Sequence, residues 1–339
     1  MVRQVIGKRP IKQQESIYAV NLKQLNAETS NVDMVIMIHD DPVVDIILET
    51  YEDGPELKLH HADGVADILV INQVEHLFFQ RKYPPCKLQI IVPTDVAACW
   101  QIRSGSGDIS VGQLITDSIH IKSGSGDVDI FEIKAHKACF KASSGDITAR
   151  KNKLNELQFE TSSGDVEMET IHGNIMGKAS SGDIVLTNQQ GDHMELETSS
   201  GDINVKNSVV KQAIYNASSG DIEVEHFKTE QVSMRTTSGD MVIRGFTGEM
   251  KGSTNSGDIN LSHISQFMLD LRAHSGDVTI AYGQASNVAF DVKTDSGEII
   301  NKYPMQVHQQ TKNELSGVIG DGGNLINVKT SSGDILLHS

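Results

Sequence analysis

From Trp100 onward, apolar or small side chains alternate with polar ones on both sides of one recurring word, Ser-Gly-Asp. Counted from the glycine of each word, position −7 is apolar in every copy, from Trp100 and Ile119 to Phe290 and Ile326. Position −5 is apolar except at Gly177 and Gly252, position −3 is always Ser, Ala or Thr, and position +2 is always Ile, Val or Met. Alternation with a period of two marks a strand buried on one face. Positions −7, −5 and −3 therefore face inward on one strand, and +2 and +4 on the next. A looser inward contact recurs at +7, in Leu114, Ile133, Ile171, Phe227, Phe246 and Ile264.

The glycine falls at Gly107, Gly126, Gly145, Gly164, Gly182, Gly201, Gly220, Gly239, Gly257, Gly276, Gly297 and Gly333, in steps of 19, 19, 19, 18, 19, 19, 19, 18, 19, 21 and 36. A fixed period of this size means stacked repeats, and one lap is too short to hold a helical crossover. The predicted fold is all-β: a single-stranded parallel β-helix, or β-solenoid, of ~19 residues per coil, right-handed by the rule for parallel crossovers. In this reading the glycine turns the corner by taking φ > 0, and the flanking serine and aspartate bond the amides of their own turn. The two shortened laps, which end at Gly182 and Gly257, each carry a glycine pair, Gly173 with Gly177 and Gly248 with Gly252, as a tighter corner requires. The last step is about two laps, with Ser316-Gly317 where a degraded copy would fall.

Residues 1–100 lack the word but stay strand-like at Asp33–Ile38, Val43–Glu49, Leu57–Leu59, Ile68–Ile71 and Leu88–Val92. Turn signals separate them: His39-Asp40-Asp41-Pro42, Glu52-Asp53-Gly54-Pro55, Ala62-Asp63-Gly64 and Tyr83-Pro84-Pro85. This segment reads as irregular coils and an N-terminal cap, continuous with a regular solenoid over 101–339. The chain stops at SSGDILLHS with no capping element after it. An open strand edge invites pairing, so the expectation is a homo-oligomer joined through the uncapped C-terminal coil, or a cover supplied by a loop such as Asn301–Asn313.

Charge sharpens this picture. The net charge is −16, and the twelve acids of the repeated word account for three quarters of it. Backbone binding to nucleic acid needs clustered Lys and Arg, so no nucleic-acid partner is expected. No apolar run is long enough for a membrane span or a signal segment, so the chain reads as cytoplasmic as written, with room for peripheral association with the envelope. Cys86, Cys99 and Cys139 have no CxxC spacing and read as free thiols.

The stacked carboxylates are the one candidate for chemistry. Asp108, Asp127, Asp146, Asp165, Asp183, Asp202, Asp221, Asp240, Asp258, Asp277 and Asp334 would lie about 4.8 Å apart along one edge. They are weak calcium candidates, since calcium wants six to eight oxygens and only one edge of each lap is so equipped. Twelve equivalent serines form an architectural row, whereas a nucleophile needs a base and an orienting group at a single site. The thirteen histidines do not repeat with the lap, and His60-His61 is their only adjacent pair. No catalytic residue, cofactor or resident metal is expected, and the chain reads as no enzyme. A polysaccharide-acting β-helix would need a walled groove, and spare loop exists only at Tyr282–Asp291 and Asn301–Asn324.

The SSGD[IV] words at Ser143–Ile147, Ser162–Val166, Ser180–Ile184, Ser199–Ile203 and Ser218–Ile222, the lead-in Leu88–Pro93 and the closing Val328–Leu336 resemble the bacterial "putative adhesin" family, a β-strand-repeat domain of unknown function. The resemblance spans about residues 30–339. It implies a β-helical fold, a bacterial origin, a link to cell-envelope stress, and a non-enzymatic binding role toward a protein or envelope polymer. It carries no catalytic residues. The alternative function is a self-assembling cytoplasmic scaffold.

Overall fold

The computed structural model describes residues 8–72, 84–281 and 287–338. Tyr83 of the turn Tyr83-Pro84-Pro85, and residues 282–286 of the stretch Tyr282–Asp291, lie outside the described residues. Within them the protein is all-β, a parallel β-solenoid with about 19 residues per turn. It divides into two compact units, Met1–Gly164 and Asp165–Ser339.

In the first unit a regular lap has a short and a long strand. Ile109–Gly112 is followed by Ile115–Ser123, and Val128–Phe131 by Lys134–Ala142. The laps pair in parallel, so that Trp100, Ile119, Ala138 and Leu157 form one stack and Ile109, Val128 and Ile147 another. All of these are buried, as the period-two pattern requires. In the second unit the two strands often run together, as in the 15-residue strands Ile203–Ala217 and Ile222–Thr236. Each fully buried Ile, Leu or Phe contributes about 1.5–3 kcal/mol, so these inward stacks dominate the stability.

The corner that adopts the left-handed conformation is not at the repeated glycine. None of the twelve glycines has positive φ. The left-handed residues of the regular laps sit at +6: Gln113, Glu132 and Lys151 in the first unit, and Thr170, Asn188, Asn207, His226, Gly245 and His263 in the second, with φ between 51 and 71°. The residue after each of them turns inward. The six apolar +7 residues named above are buried, and so are Asn152, Gln189 and Ser208 at the same position. Asn152 Oδ1 accepts the Ile133 N–H at 2.7 Å, and Gln189 Oε1 accepts the Ile171 N–H at 3.2 Å.

A β-branched residue in the left-handed region is strained by about 1–2 kcal/mol. Thr170→Gly, at φ 58°, is therefore expected to stabilise the protein by about 0.5–1 kcal/mol after the unfolded-state entropy of glycine is discounted. Urea unfolding checks the sign.

What the repeated glycine supplies is space. A methyl group on Gly145 would sit on the carbonyl oxygen of Gly126, with the carbonyl carbon only 2.5 Å away; Gly201 stands in the same relation to Gly182. The shortened laps do use glycine for its dihedrals: Gly173 and Gly248 have φ 140° and 135°. There the register skips a residue, between His172 and Ile175 and between Lys228 and Gln231. Gly177 and Gly252 are inward positions of the same laps, and Leu271 packs where a side chain of residue 252 would project.

Both units close by intercalation. In the first, the earliest lap, Gln24–Thr29 with Asp33–His39, pairs in parallel with Cys99–Ser104 and Ile109–Gly112 on one side. On its other side it pairs with Val65–Ile71 and Lys87–Pro93. Antiparallel strands then cover that outer lap: Glu56–Ala62 reaches it through an Asp63-Gly64 hairpin turn, and Val43–Tyr51 lies on Lys87–Pro93, backed by Pro10–Tyr18.

In the second unit the last lap, Asn324–Thr330 with Ile335–His338, lies between the Phe267–Ala273/Val278–Ala281 lap and the Val288–Thr294/Ile299–Asn301 lap. The antiparallel strands Glu314–Ile319 and Gln306–Gln310 cover the latter. The C-terminal coil is thus not uncapped, which removes the expected route to a homo-oligomer through it. Ser316-Gly317 belongs to a capping strand and not to a decayed turn. The outermost strands, Pro10–Tyr18 and Gln306–Gln310, are mostly polar and exposed, which blunts them as pairing edges.

Candidate functional site: the Ser-Gly-Asp edge and a lysine-lined groove

The repeated word builds a hydrogen-bonded edge. The buried hydroxyl at −3 reaches across its own turn: Ser104 Oγ donates to the Gly107 carbonyl at 2.7 Å, while Thr198 and Thr236 Oγ1 accept the N–H of Gly201 and Gly239 at 3.1 Å. Threonine hydroxyls also donate to the glycine carbonyl of the neighbouring lap, Thr236 to Gly220 at 3.0 Å and Thr330 to Gly276 at 3.2 Å.

The sequence suggested that the aspartates bond the amides of their own turn; the bonds they make reach the next lap. In the first unit Asp33, Asp108 and Asp127 Oδ1 accept the N–H of Asp108, Asp127 and Asp146 at 2.9–3.1 Å. In the second unit Asp165, Asp183, Asp202, Asp221, Asp240, Asp258 and Asp277 accept, in turn, the N–H of Asp183, Asp202, Asp221, Asp240, Asp258, Asp277 and Asp334 at 2.7–2.9 Å. Asp334 accepts the N–H of Glu298 at 2.8 Å. A bond of this charge-assisted kind contributes about 1.5–3 kcal/mol. Repulsion between exposed carboxylates one lap apart is under about 1 kcal/mol in water. The ladder therefore holds the laps together in spite of its charge.

Among the described residues no three His, Cys, Asp or Glu side chains converge as a metal shell would need. The eleven aspartates named as weak calcium candidates form no such group. Asp221→Asn keeps the acceptor oxygen and is expected to leave the melting temperature unchanged or slightly raised. Asp221→Ala orphans the Asp240 amide and is expected to cost about 1–3 kcal/mol. A thermal melt with and without calcium checks both the substitutions and the insensitivity of the edge to the ion.

His60 and His61 are exposed on Glu56–Ala62 and join no cluster. The three cysteines are free and half-buried, and burial pushes the Cys86 and Cys139 thiols up, away from the reactive thiolate.

Two shallow grooves lie elsewhere, in the first unit. A shallow groove of about 590 Å³ is lined by Leu22, Val96, Ala97, Thr116 and His136. A second, of about 430 Å³, is lined by Ile38, Gln113, Glu132 and Lys151. Both share Ile115, Lys134 and Lys153, which stack in register on three successive laps. Ile115 is 44% exposed, and neither Lys134 nor Lys153 has an ion pair among the described residues. Lys151, by contrast, lies 3.9 Å from Glu132 and over the Phe131 ring. The floor is tied across laps, since Thr116 Oγ1 is bonded to the carbonyls of Ala97 and Ala98. The lysines share the first groove with Asp95 and Asp117 and the second with Glu132; an exposed isoleucine beside two cations without an ion pair suits an anionic ligand with an apolar portion. These residues escaped the sequence reading because +8 carries no consensus; Ile115, Lys134 and Lys153 become a triplet only once the lap is known.

No helix among the described residues is long and apolar enough to cross a membrane. No curated protein matches the sequence. Among solved structures, a "putative cell adhesion protein" from Clostridium sporogenes is 10% identical over 97% of this chain and 99% of its own, with a TM-score of 0.26. A "putative adhesin" from Parabacteroides distasonis is 11% identical over 80% of this chain and 97% of its own, with a TM-score of 0.44. A "putative lipid binding protein" from the same organism is 14% identical over 81% and 95%, with a TM-score of 0.39. None of these likenesses bears on what this chain binds. The Toastrack DUF4097 description matches residues 75–206 and 175–338, as the recurring SSGD words led us to expect. With most of its length covered by those two matches, the chain belongs to the Toastrack DUF4097 family.

Proposed function

We propose that this chain is a non-enzymatic, adhesin-like binding protein that associates peripherally with the bacterial envelope and engages an envelope polymer. The observation that carries this reading is the division of labour among its polar side chains. The repeated ones are consumed in holding laps together, while Lys134 and Lys153, with no ion pair among the described residues, stand beside an exposed isoleucine in a groove whose floor is tied across laps. The scaffold alternative drew on an open C-terminal coil, and that coil is paired on both sides within the second unit.

The test is co-sedimentation of the purified protein with an insoluble envelope fraction, followed by chemical analysis of that fraction. Saturable retention, an unaltered polymer and loss of retention in Lys134→Glu/Lys153→Glu are expected. Release of new reducing ends would make the protein an enzyme and overturn the proposal, as would retention that the double substitution leaves untouched.

A further inference from the structure

Charges on the outer face of the long strands mostly alternate in sign from lap to lap. Successive laps alternate in sign and pair: Lys137 with Glu156 at 3.4 Å, Lys178 with Glu197 at 2.6 Å, Lys211 with Asp192 at 2.6 Å, and Lys206 with Glu225 at 3.7 Å. Like charges opposed across a strand pair are destabilising, so alternation is the expected solution. Two runs at position −4, one in each unit, break the alternation, as Lys134 beside Lys153 does at +8. In the first, Arg103, Lys122 and Lys141 are stacked directly on one another, bounded by Glu28 and Glu160. In the second, five consecutive laps present Arg235, Ser253, Arg272, Lys329 and Lys293, with no acid among them. That run ends at Glu314, 3.4 Å from Lys293. Eight of the 29 basic residues of an acidic chain occupy this single position. Arg103, Lys122, Arg235 and Lys329 are exposed and have no ion pair among the described residues.

We infer that each of these cation columns is a track for an acidic glycopolymer, a linear sugar chain bearing about one carboxylate or phosphate per monomer, laid along the stacking direction. This deepens the binding reading above and rests on it. The geometry selects the class. Neighbouring cations lie about 4.8 Å apart, with Ser253 the one gap in the second column, and this spacing suits a polymer charged at every monomer. Asp270 and Asp291 flank the second column at −6, and Asp270 lies 3.4 Å from Arg272. A narrow strand can follow the cations past those acids, whereas a lipid bilayer would press on the whole face, acids included. Single-stranded nucleic acid is bound by stacking its bases on aromatic side chains, and positions −4, −6 and −8 carry no aromatic residue in either run.

The experiment titrates the full chain with labelled polygalacturonate, and in parallel with neutral dextran, single-stranded DNA and anionic vesicles. The proteins compared are wild type, Arg103→Gln/Lys122→Gln/Lys141→Gln, and Arg272→Gln/Lys293→Gln/Lys329→Gln. Glutamine removes charge without creating new repulsion, and circular dichroism confirms the fold. The expected result is binding to polygalacturonate but not dextran, weakening steeply between about 50 and about 200 mM salt, and reduced about tenfold or more by each triple substitution. Equal affinity of the variants and wild type would overturn the inference, as would equal or tighter binding to DNA or to vesicles. Retention on the envelope fraction without binding to polygalacturonate would overturn this inference alone and leave the proposed function standing. Loss of both would overturn both.

Discussion

Gly145→Ala is expected to destabilise the protein by about 3 kcal/mol or more, while Gly112→Ala leaves stability within about 0.5 kcal/mol of wild type. The two glycines lie in the same unit and differ in what stands behind them. A methyl on Gly145 would run into the Gly126 carbonyl and approach the Asp127 amide nitrogen to 3.1 Å, and both are backbone atoms that cannot swing aside. A methyl on Gly112 meets only the Phe131 carbonyl oxygen at 3.8 Å, an ordinary contact. Relief at one corner would also have to lengthen the Asp146-to-Asp127 bond of 2.9 Å beside it, so the damage reaches the ladder. Gly145→Asn separates the two explanations for the glycine. Asparagine tolerates left-handed dihedrals, so it would be mild if glycine were there to turn the chain. It is expected to be as harmful as alanine, because it too carries a Cβ. Denaturant unfolding of the three variants decides, and a benign Gly145→Asn would remove the close-approach account.

Deleting residues 321–339 is expected to collapse the far part of the second unit instead of shortening it by one lap. The deleted lap contributes Ile326, Val328, Ile335 and Leu337, each 0% exposed, so the direct loss of burial is on the order of 10 kcal/mol. That compares with a whole-domain stability of about 5–15 kcal/mol. In a linear array an end repeat takes one interface with it. This lap takes two, because Leu269 and Leu271 pack from one side and Phe290 and Val292 from the other. Hydrogen exchange should show protection lost over Phe267–Ala273 and Val288–Thr294 together. A truncated protein that kept full protection at Phe267–Ala273 would show that the lap is peripheral after all.

The inward stacks were legible in the sequence because burial selects strongly at every lap: Trp100, Ile119, Phe140 and Leu157 had to be apolar, and they alternate. The glycine column was equally plain, but its cause was not, since close approach and a left-handed turn both write glycine. The real left-handed corner left almost no trace. Glu132, Lys151 and Thr170 occupy it at a tolerable cost, and only Gly245, Asn188 and Asn207 advertise it.

Lap order was hidden for a different reason. Every lap offers the same ladder of amides and the same apolar stack, so a parallel neighbour can be any lap, near or distant in the chain. The first turn, Thr29-Ser30-Asn31-Val32-Asp33, has valine in place of glycine and so was passed over. Yet its Thr29 hydroxyl donates to the Val32 carbonyl at 2.9 Å, and its Asp33 accepts the Asp108 amide. The grooves and cation columns lie at outward positions with no consensus, and they emerge only when residues 19 apart are set side by side.

The placement of Asn324–His338 also dictates an order of events during synthesis. While the ribosome still holds Asn324–His338 in its exit tunnel, the Val288–Asn301 strands have no parallel neighbour to receive them and cannot close on Phe267–Ala281 without shutting the slot. The nascent second unit must therefore stay open by the width of one strand until Asn324–His338 has left the ribosome.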